Sequence, residues 1–285
     1  MAPSSLSGDA ASRRGPRPAL RDSLRLRVAT AAVGTPLLLL LVVLGSFWLT
    51  ALVVAAALLG LWEFYRLSRL ERPWVLQLPG FVATALLVVN GHVWRFNPGA
   101  FVVATGVFFL AKYIAHARGH RGLDAGVSAI LGPLYLGGTL AYAPLLRALD
   151  ERGAWLLVAI LGTFAVDTSA YFVGRAVGRH RMAPRVSPGK TWEGAAAGLL
   201  GGLGAVALLS RLLGLPISAA QGVLLGLGVG IVAQAGDLLE SALKRAAGAK
   251  EAGRLVPGHG GLLDRLDSLV LSLVLMYYGA TWLQA

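Results

Sequence analysis

The chain has no cysteine among its 285 residues. Disulfide frameworks, thiolate metal sites and cysteine nucleophiles are therefore excluded, and the redox compartment is left open. Charge is scarce too: Asp, Glu, Lys and Arg make up 14% of the residues, against roughly a quarter in a water-soluble domain. Acid is the scarcer sign, with 14 Asp and Glu against 26 Lys and Arg and a net charge of +12. These shortages exclude most soluble folds. What is present instead is 56% hydrophobic residues and a mean hydropathy of +0.67. The class expected is an all-α, polytopic integral membrane protein. Each of its spans needs about 20 mainly apolar residues, because every backbone amide in hydrocarbon must be bonded within its own helix.

Apolar runs predict about nine transmembrane helices, at 28–45, 47–62, 75–91, 100–114, 125–146, 155–174, 191–209, 217–239 and 266–283. The first two form one long run that has to turn near Gly45-Ser46. The organisation expected is a basic arm at 1–27, N-terminal helices at 28–150 and a C-terminal catalytic part at 151–285. The arm carries Arg13, Arg14 and Arg17 among Pro16 and Pro18, so it is expected to be mostly disordered, with 20–27 resting on the membrane surface. It is not a convincing signal peptide, since no small-residue cleavage site occurs before Ala55-Ala56-Ala57.

A cytoplasmic N-terminus followed by nine spans makes a prediction about charge. On one side fall the six Arg of the arm, Arg66, Arg69, Arg72, Lys112, Arg118, Arg121, Arg175, Arg179, Arg181, Arg185, Lys190, Lys244, Arg245, Lys250, Arg254 and Arg265. Only Arg95, Arg147, Arg152 and Arg211 fall on the other, a division of 22 to 4 among the 26 bases. Bases retained on the cytoplasmic side account for that asymmetry. The excess of positive charge therefore needs no nucleic acid to explain it.

Several acids lie in or beside spans, where an ionisable group is costly and thus a functional candidate. They are Asp167, Glu193, Asp237, Glu240, Asp264 and Asp267, at the cytoplasmic ends of the last four spans. Asp237, Glu240, Ser241 and Lys244 are spaced i, i+3, i+4 and i+7 and share a helix face, as do Asp264, Asp267 and Ser268. Each acid taken singly is compatible with a helix end facing headgroups or a local Arg. Two acidic faces joined by one loop can instead converge on a divalent cation, since Mg²⁺ takes carboxylate oxygens and keeps positions open for phosphate.

Between those faces, the segment 244–261 combines Lys244, Arg245, Lys250, Arg254, Pro257, His259 and several glycines. Bases give charge-assisted hydrogen bonds to phosphate, and glycines let backbone amides form an anion nest. The plain alternative is an ordinary basic loop with glycine turns. A second basic loop ends in Ser187-Pro188-Gly189-Lys190-Thr191-Trp192-Glu193. It is not a Walker phosphate loop, because Pro184 stands where that pattern needs glycine. A helix N-terminus after Lys190 and Thr191 still suits an anion. Gly198, Gly201, Gly202, Gly204, Gly222, Gly226, Gly228 and Gly230 read as helix-packing positions.

The run Ser241-x-x-Lys244-Arg245-x₄-Lys250-Glu251-x-Gly253-x₂-Val256-Pro257-x-His259-Gly260-Gly261-Leu262-x-Asp264-Arg265-Leu266-Asp267 closely resembles the signature of the phosphatidate cytidylyltransferases, or CDP-diacylglycerol synthases. Asp167-x-x-Ala170-Tyr171-x-x-Gly174-Arg175 and the Ser187 to Gly194 segment resemble further blocks of that family. The likeness is specific from about Gly153 onward, and earlier it is only a string of spans. Glu251 stands where the family usually has Asp, and Val256 where Leu, Ile or Phe is usual.

The resemblance implies the reaction CTP + phosphatidate → CDP-diacylglycerol + diphosphate in phospholipid biosynthesis. It implies a requirement for Mg²⁺, with room for a second cation and for a homodimer. By motif position, Asp237 and Asp264 are metal ligands and, with Lys244 and Lys250, the catalytic group. Ser187, Lys190, Thr191, Arg245, His259 and Arg265 are substrate-binding, and Asp167, Glu193, Ser241 and Asp267 stand behind them. The implied location is a bacterial cell membrane, with the site at its cytoplasmic face.

Such chemistry fits acids and bases without a Ser-His-Asp arrangement. The nucleophile is a phosphate oxygen of phosphatidate, whose second ionisation lies near about pH 6 as in other phosphomonoesters. What resists reaction is repulsion between polyanions, so charge neutralisation and in-line positioning are the requirements. A transporter would gather its ionisable groups at the bilayer midplane, whereas these gather at one side. A CDP-alcohol phosphotransferase would need its Asp-Gly dipeptide, which this chain lacks.

Overall fold

The computed structural model of the protein describes residues 20–68, 74–99, 125–253, 255 and 260–284. Leu20–Leu44 forms α1 and Ser46–Leu67 forms α2. Gly45 between them has φ 71° and ψ −170°, a conformation open to glycine because it has no Cβ. The long apolar run thus turns where expected. The helix begins at Leu20, so 20–27 supplies about two turns of α1.

Trp74–Val93 is α3, Ala125–Leu140 is α4 and Tyr142–Arg147 is α5. The last two are one apolar path interrupted at Ala141, since Pro144 has no N–H to give the Leu140 carbonyl. The second half contains α6 (Ala154–Val177), α7 (Trp192–Leu212), α8 (Ala219–Ala246) and α9 (Leu263–Gln284). Between α6 and α7 lies an antiparallel hairpin, β1 (Arg181–Ala183) and β2 (Ser187–Thr191), with Arg181 opposite Thr191 and Ala183 opposite Ser187. This is a departure from an all-helical chain. Pro184 and Pro188 deny the segment a helix, and its Arg and Lys side chains deny it the bilayer.

Among the described residues, six helical paths are long and apolar enough to cross a membrane: Phe47–Leu67, Ser128–Arg147, Ala154–Val177, Trp192–Leu212, Ala219–Ala246 and Leu263–Gln284. Shorter apolar helices cover Ala32–Leu44 and Gln77–Val93. The remaining expected span, 100–114, lies outside the described residues.

Successive helices of the second half pack in order, α6 on α7, α7 on α8 and α8 on α9, and α9 returns to α6. Small residues allow this. A Cβ at Gly202 would meet Val166, and one at Gly226 would meet the backbone of Leu203. Gly236 lies against the backbone of Asp267 and Ser268, which brings the acidic faces of α8 and α9 together. Gly204 is the exception among the expected packing glycines, with open space where a Cβ would stand. In the first half α2, α3 and α4 pack together, and α9 also touches α2, α4 and α5. The core holding these elements includes Leu61, Phe64, Tyr65, Leu136, Trp155, Val270 and Met276, all nearly inaccessible to solvent.

Candidate active site

Because consecutive helices are antiparallel, the C-terminal ends of α6 and α8 and the N-terminal ends of α7 and α9 lie at one end of the bundle. A cavity of about 1230 Å³ opens there. Its walls bring together Asp167, Ser187, Lys190, Thr191, Asp237, Lys244, Lys250, Asp264, Arg265 and Asp267, which come from segments up to 100 residues apart in sequence.

Local structure aims each group. Thr191 is the N-cap of α7, its hydroxyl accepting from the Gly194 amide at 3.1 Å. Gly174 and Gly178 crowd that hydroxyl from α6 and the segment following it, so the hairpin is held against α6. With Thr191 buried, the alternation of a strand sends Lys190 the other way. The Lys190 ammonium lies 2.8 Å from Asp237 Oδ2 and donates to the Gln234 carbonyl at 3.3 Å. Gln234 is itself fixed by its amide, which donates to Gly230 at 2.8 Å and to Ala195 at 3.2 Å. Ser241, one turn beyond Asp237, donates to its other oxygen at 3.4 Å.

A matching pair stands across the cavity. Lys244 bridges Asp264 and the fully buried Glu240. The second oxygen of Asp264 accepts from the Gly261 amide at 2.9 Å and the Ala252 amide at 3.1 Å. Each of the two expected metal ligands is thus held by a lysine. Asp237 also acts electrostatically on Asp167 and Asp267, while Lys190, Arg265 and Lys244 offset that repulsion. Ser268 ties the two acids together, donating to Asp167 at 3.2 Å while its amide donates to Asp267 at 2.7 Å. Among the described residues no three acidic or histidine side chains form a ready-made metal cage.

Two expected site residues stand elsewhere. Arg245 donates to the Val186 carbonyl at 3.2 Å and the Ala249 carbonyl at 3.1 Å, fastening the hairpin turn to the end of α8 rather than lining the cavity. Glu193 accepts from the amides of Arg179 and His180 and from the His180 ring at 2.6 Å, so it closes the hairpin. Ser241 stands behind Asp237, to which its hydroxyl donates. His259 lies outside the described residues.

Some groups were passed over by sequence reasoning. Tyr171, Arg175 and Arg181 line the cavity, the first two inside a block already noted for its resemblance. Glu63 of α2 is fully buried, and its carboxylate accepts from the Leu263 amide at 2.8 Å. An acid inside an apolar helix was the signal for it.

Fold and cavity together define a helical membrane protein whose acids and bases are gathered at one end of the bundle. The sequence profile described as Cytidylyltransferase family matches residues 25–282. The phosphatidate cytidylyltransferase of Bacillus subtilis (strain 168) is 30% identical over 269 residues, covering 90% of this chain and 97% of its own. That of Brucella abortus biovar 1 (strain 9-941) is 35% identical over 267 residues, covering 91% and 94%. That of Synechocystis sp. is 32% identical over 280 residues, covering 88% and 94%. The chain belongs to the cytidylyltransferase family.

Proposed function

We propose that this protein is an integral-membrane CTP:phosphatidate cytidylyltransferase, joining a lipid phosphate to the α-phosphorus of CTP with loss of diphosphate. The observation that carries the reading is the pairing of Lys190 with Asp237 and of Lys244 with Asp264 inside one cavity at the end of the bundle. A polyanion competes for the lysines, and the carboxylates they leave are free to hold a divalent cation. In this reading Asp237 and Asp264, supported by Asp167 and Asp267, hold Mg²⁺, which supplies charge neutralisation on the transferring phosphate. Lys190, Lys244, Lys250 and Arg265 face the phosphates, screening attacker and electrophile from each other. The attacking oxygen is already ionised near neutral pH, so no strong base is required.

Both substrates can reach such a site. Tyr171, Phe172, Val173 and Val177 on α6 are exposed beside the cavity, an apolar surface suited to acyl chains that remain in the bilayer. CTP arrives from the aqueous side. The same proposal includes nine spans, a cytoplasmic N-terminus, a site at the cytoplasmic face of a bacterial membrane, a homodimer and a second cation.

The test is to purify the protein in detergent, supply CTP, phosphatidate and Mg²⁺, and measure diphosphate release with formation of CDP-diacylglycerol. Product that depends on all three components is expected. Absence of CTP-dependent product across lipid and ion conditions defeats the reading.

A further inference from the structure

Glu63 lies near the end of α2, in a helix whose other charged side chain, Arg66, rests over the Trp62 ring at 4.8 Å. A buried carboxylate is costly unless hydrogen bonds or an opposite charge meet it. Among the described residues no Lys, Arg or His forms an ion pair with Glu63. Its burial is complete, and the group that donates to it is a backbone amide. Oε2 accepts from the Leu263 amide, the first residue of α9, at 2.8 Å across 200 residues of sequence. Oε1 has no hydrogen-bond partner.

Two glycines of the loop before α9 press on the same carboxylate. The three nearest atoms to a Cβ at Gly253 would all belong to the Glu63 side chain, and a Cβ at Gly261 would lie 2.7 Å from Oε2. Asp264 holds the same two stretches through the Ala252 and Gly261 amides. Both ends of the loop are therefore in contact with two carboxylates. One belongs to the site and the other comes from the far half of the chain.

We propose that Glu63 is a positioning residue that clasps Gly253 to the start of α9 and so sets where Asp264, Lys250 and Arg265 stand in the cavity. It touches no reacting atom in this arrangement. It acts by satisfying the first amide of α9 and by filling the volume that glycine leaves at 253 and 261. The kinetic consequences rest on the cytidylyltransferase reading, but the clasp itself does not.

The experiment combines kinetics with proteolysis on the full-length protein in detergent. Glu63→Ala is expected to lower kcat about 10- to 100-fold and to raise the Mg²⁺ concentration for half-maximal rate about tenfold, the scale for groups that orient metal-binding residues. KM for phosphatidate is expected to stay within about twofold. Without substrate, trypsin is expected to cut after Lys250 several-fold faster than in wild type. A double-mutant cycle then isolates the contact: Gly253→Ala, Glu63→Asp and both together. Shortening the acid makes room for the added methyl, so the double variant is expected to lose less than the product of the single losses.

Wild-type values of kcat, Mg²⁺ dependence and trypsin rate in Glu63→Ala overturn the clasp. So does a Gly253→Ala effect that is unchanged beside Glu63→Asp. If Glu63→Ala does not accumulate, the Gly253 cycle, read as trypsin rate and activity, decides alone. If the trypsin rates couple as expected while wild type makes no CDP-diacylglycerol, the clasp stands and the reaction assignment falls.

Discussion

The helices before residue 150 and those after 154 are comparably apolar yet do different work. The most apolar 18-residue stretch within Phe47–Leu67 has a mean hydropathy of 1.9 and that within Ala219–Ala246 one of 1.7. In the second half the polar groups gather where four helices end, giving the cavity its acids and bases. In the first half three of them serve as attachments to α9. Glu63 meets α9 at the site end, and Asn97 and Tyr142 meet it at the far end. There the Tyr278 hydroxyl donates to Asn97 Oδ1 at 2.8 Å and lies 3.0 Å from the Tyr142 hydroxyl. The first half thus indexes α9, and α9 carries Asp264, Arg265 and Asp267. A site assembled in one half depends on the other for alignment.

The strongest challenge to this division lies in the carboxylates. Asp237→Asn or Asp264→Asn is expected to reduce kcat about 100- to 1,000-fold, the scale for groups that stabilise transition-state charge, and to alter the Mg²⁺ dependence. Initial-rate measurements over Mg²⁺ concentration check this, and a near-wild-type rate removes that residue from the proposed metal site.

Lys244 tests whether the second half is held together by the same charges it uses. Its side chain is 12% exposed and faces Glu240 and Asp264, so Lys244→Met leaves two acids without their partner. A loss of about 3 kcal/mol is expected, seen as a lower unfolding midpoint in detergent, together with loss of activity. Unchanged stability would show that the pair contributes only to chemistry.

The smallest effect belongs to the far end. Tyr278→Phe removes one hydroxyl from the Asn97 and Tyr142 cluster and is expected to reduce stability by about 1 kcal/mol, with kcat within about twofold. A large loss of activity there would mean that the two attachments of α9 are coupled along its length.

Much was legible in the sequence because it depends on neighbours along the chain. Apolar run length located six of the nine expected spans, Gly45 marked the first turn, and the spacing of Asp237, Ser241 and Lys244 placed them on one side of α8. Thr191 before α7 is likewise a local capping signal. Arg245 shows the limit: the motif that contains it resembles a phosphate-binding run, yet its guanidinium is spent on two carbonyls. Nothing within one helix could predict that.

Cysteine-free, charge-poor composition and an excess of bases on one predicted side determined the class of protein and the end at which to seek its site. Which lysine holds which carboxylate, and the union of Glu63 with Leu263, were decided only by the tertiary structure. Helical periodicity and hydropathy are local quantities. A hydrogen bond between residues 200 positions apart exists only after packing has brought α2 and α9 together.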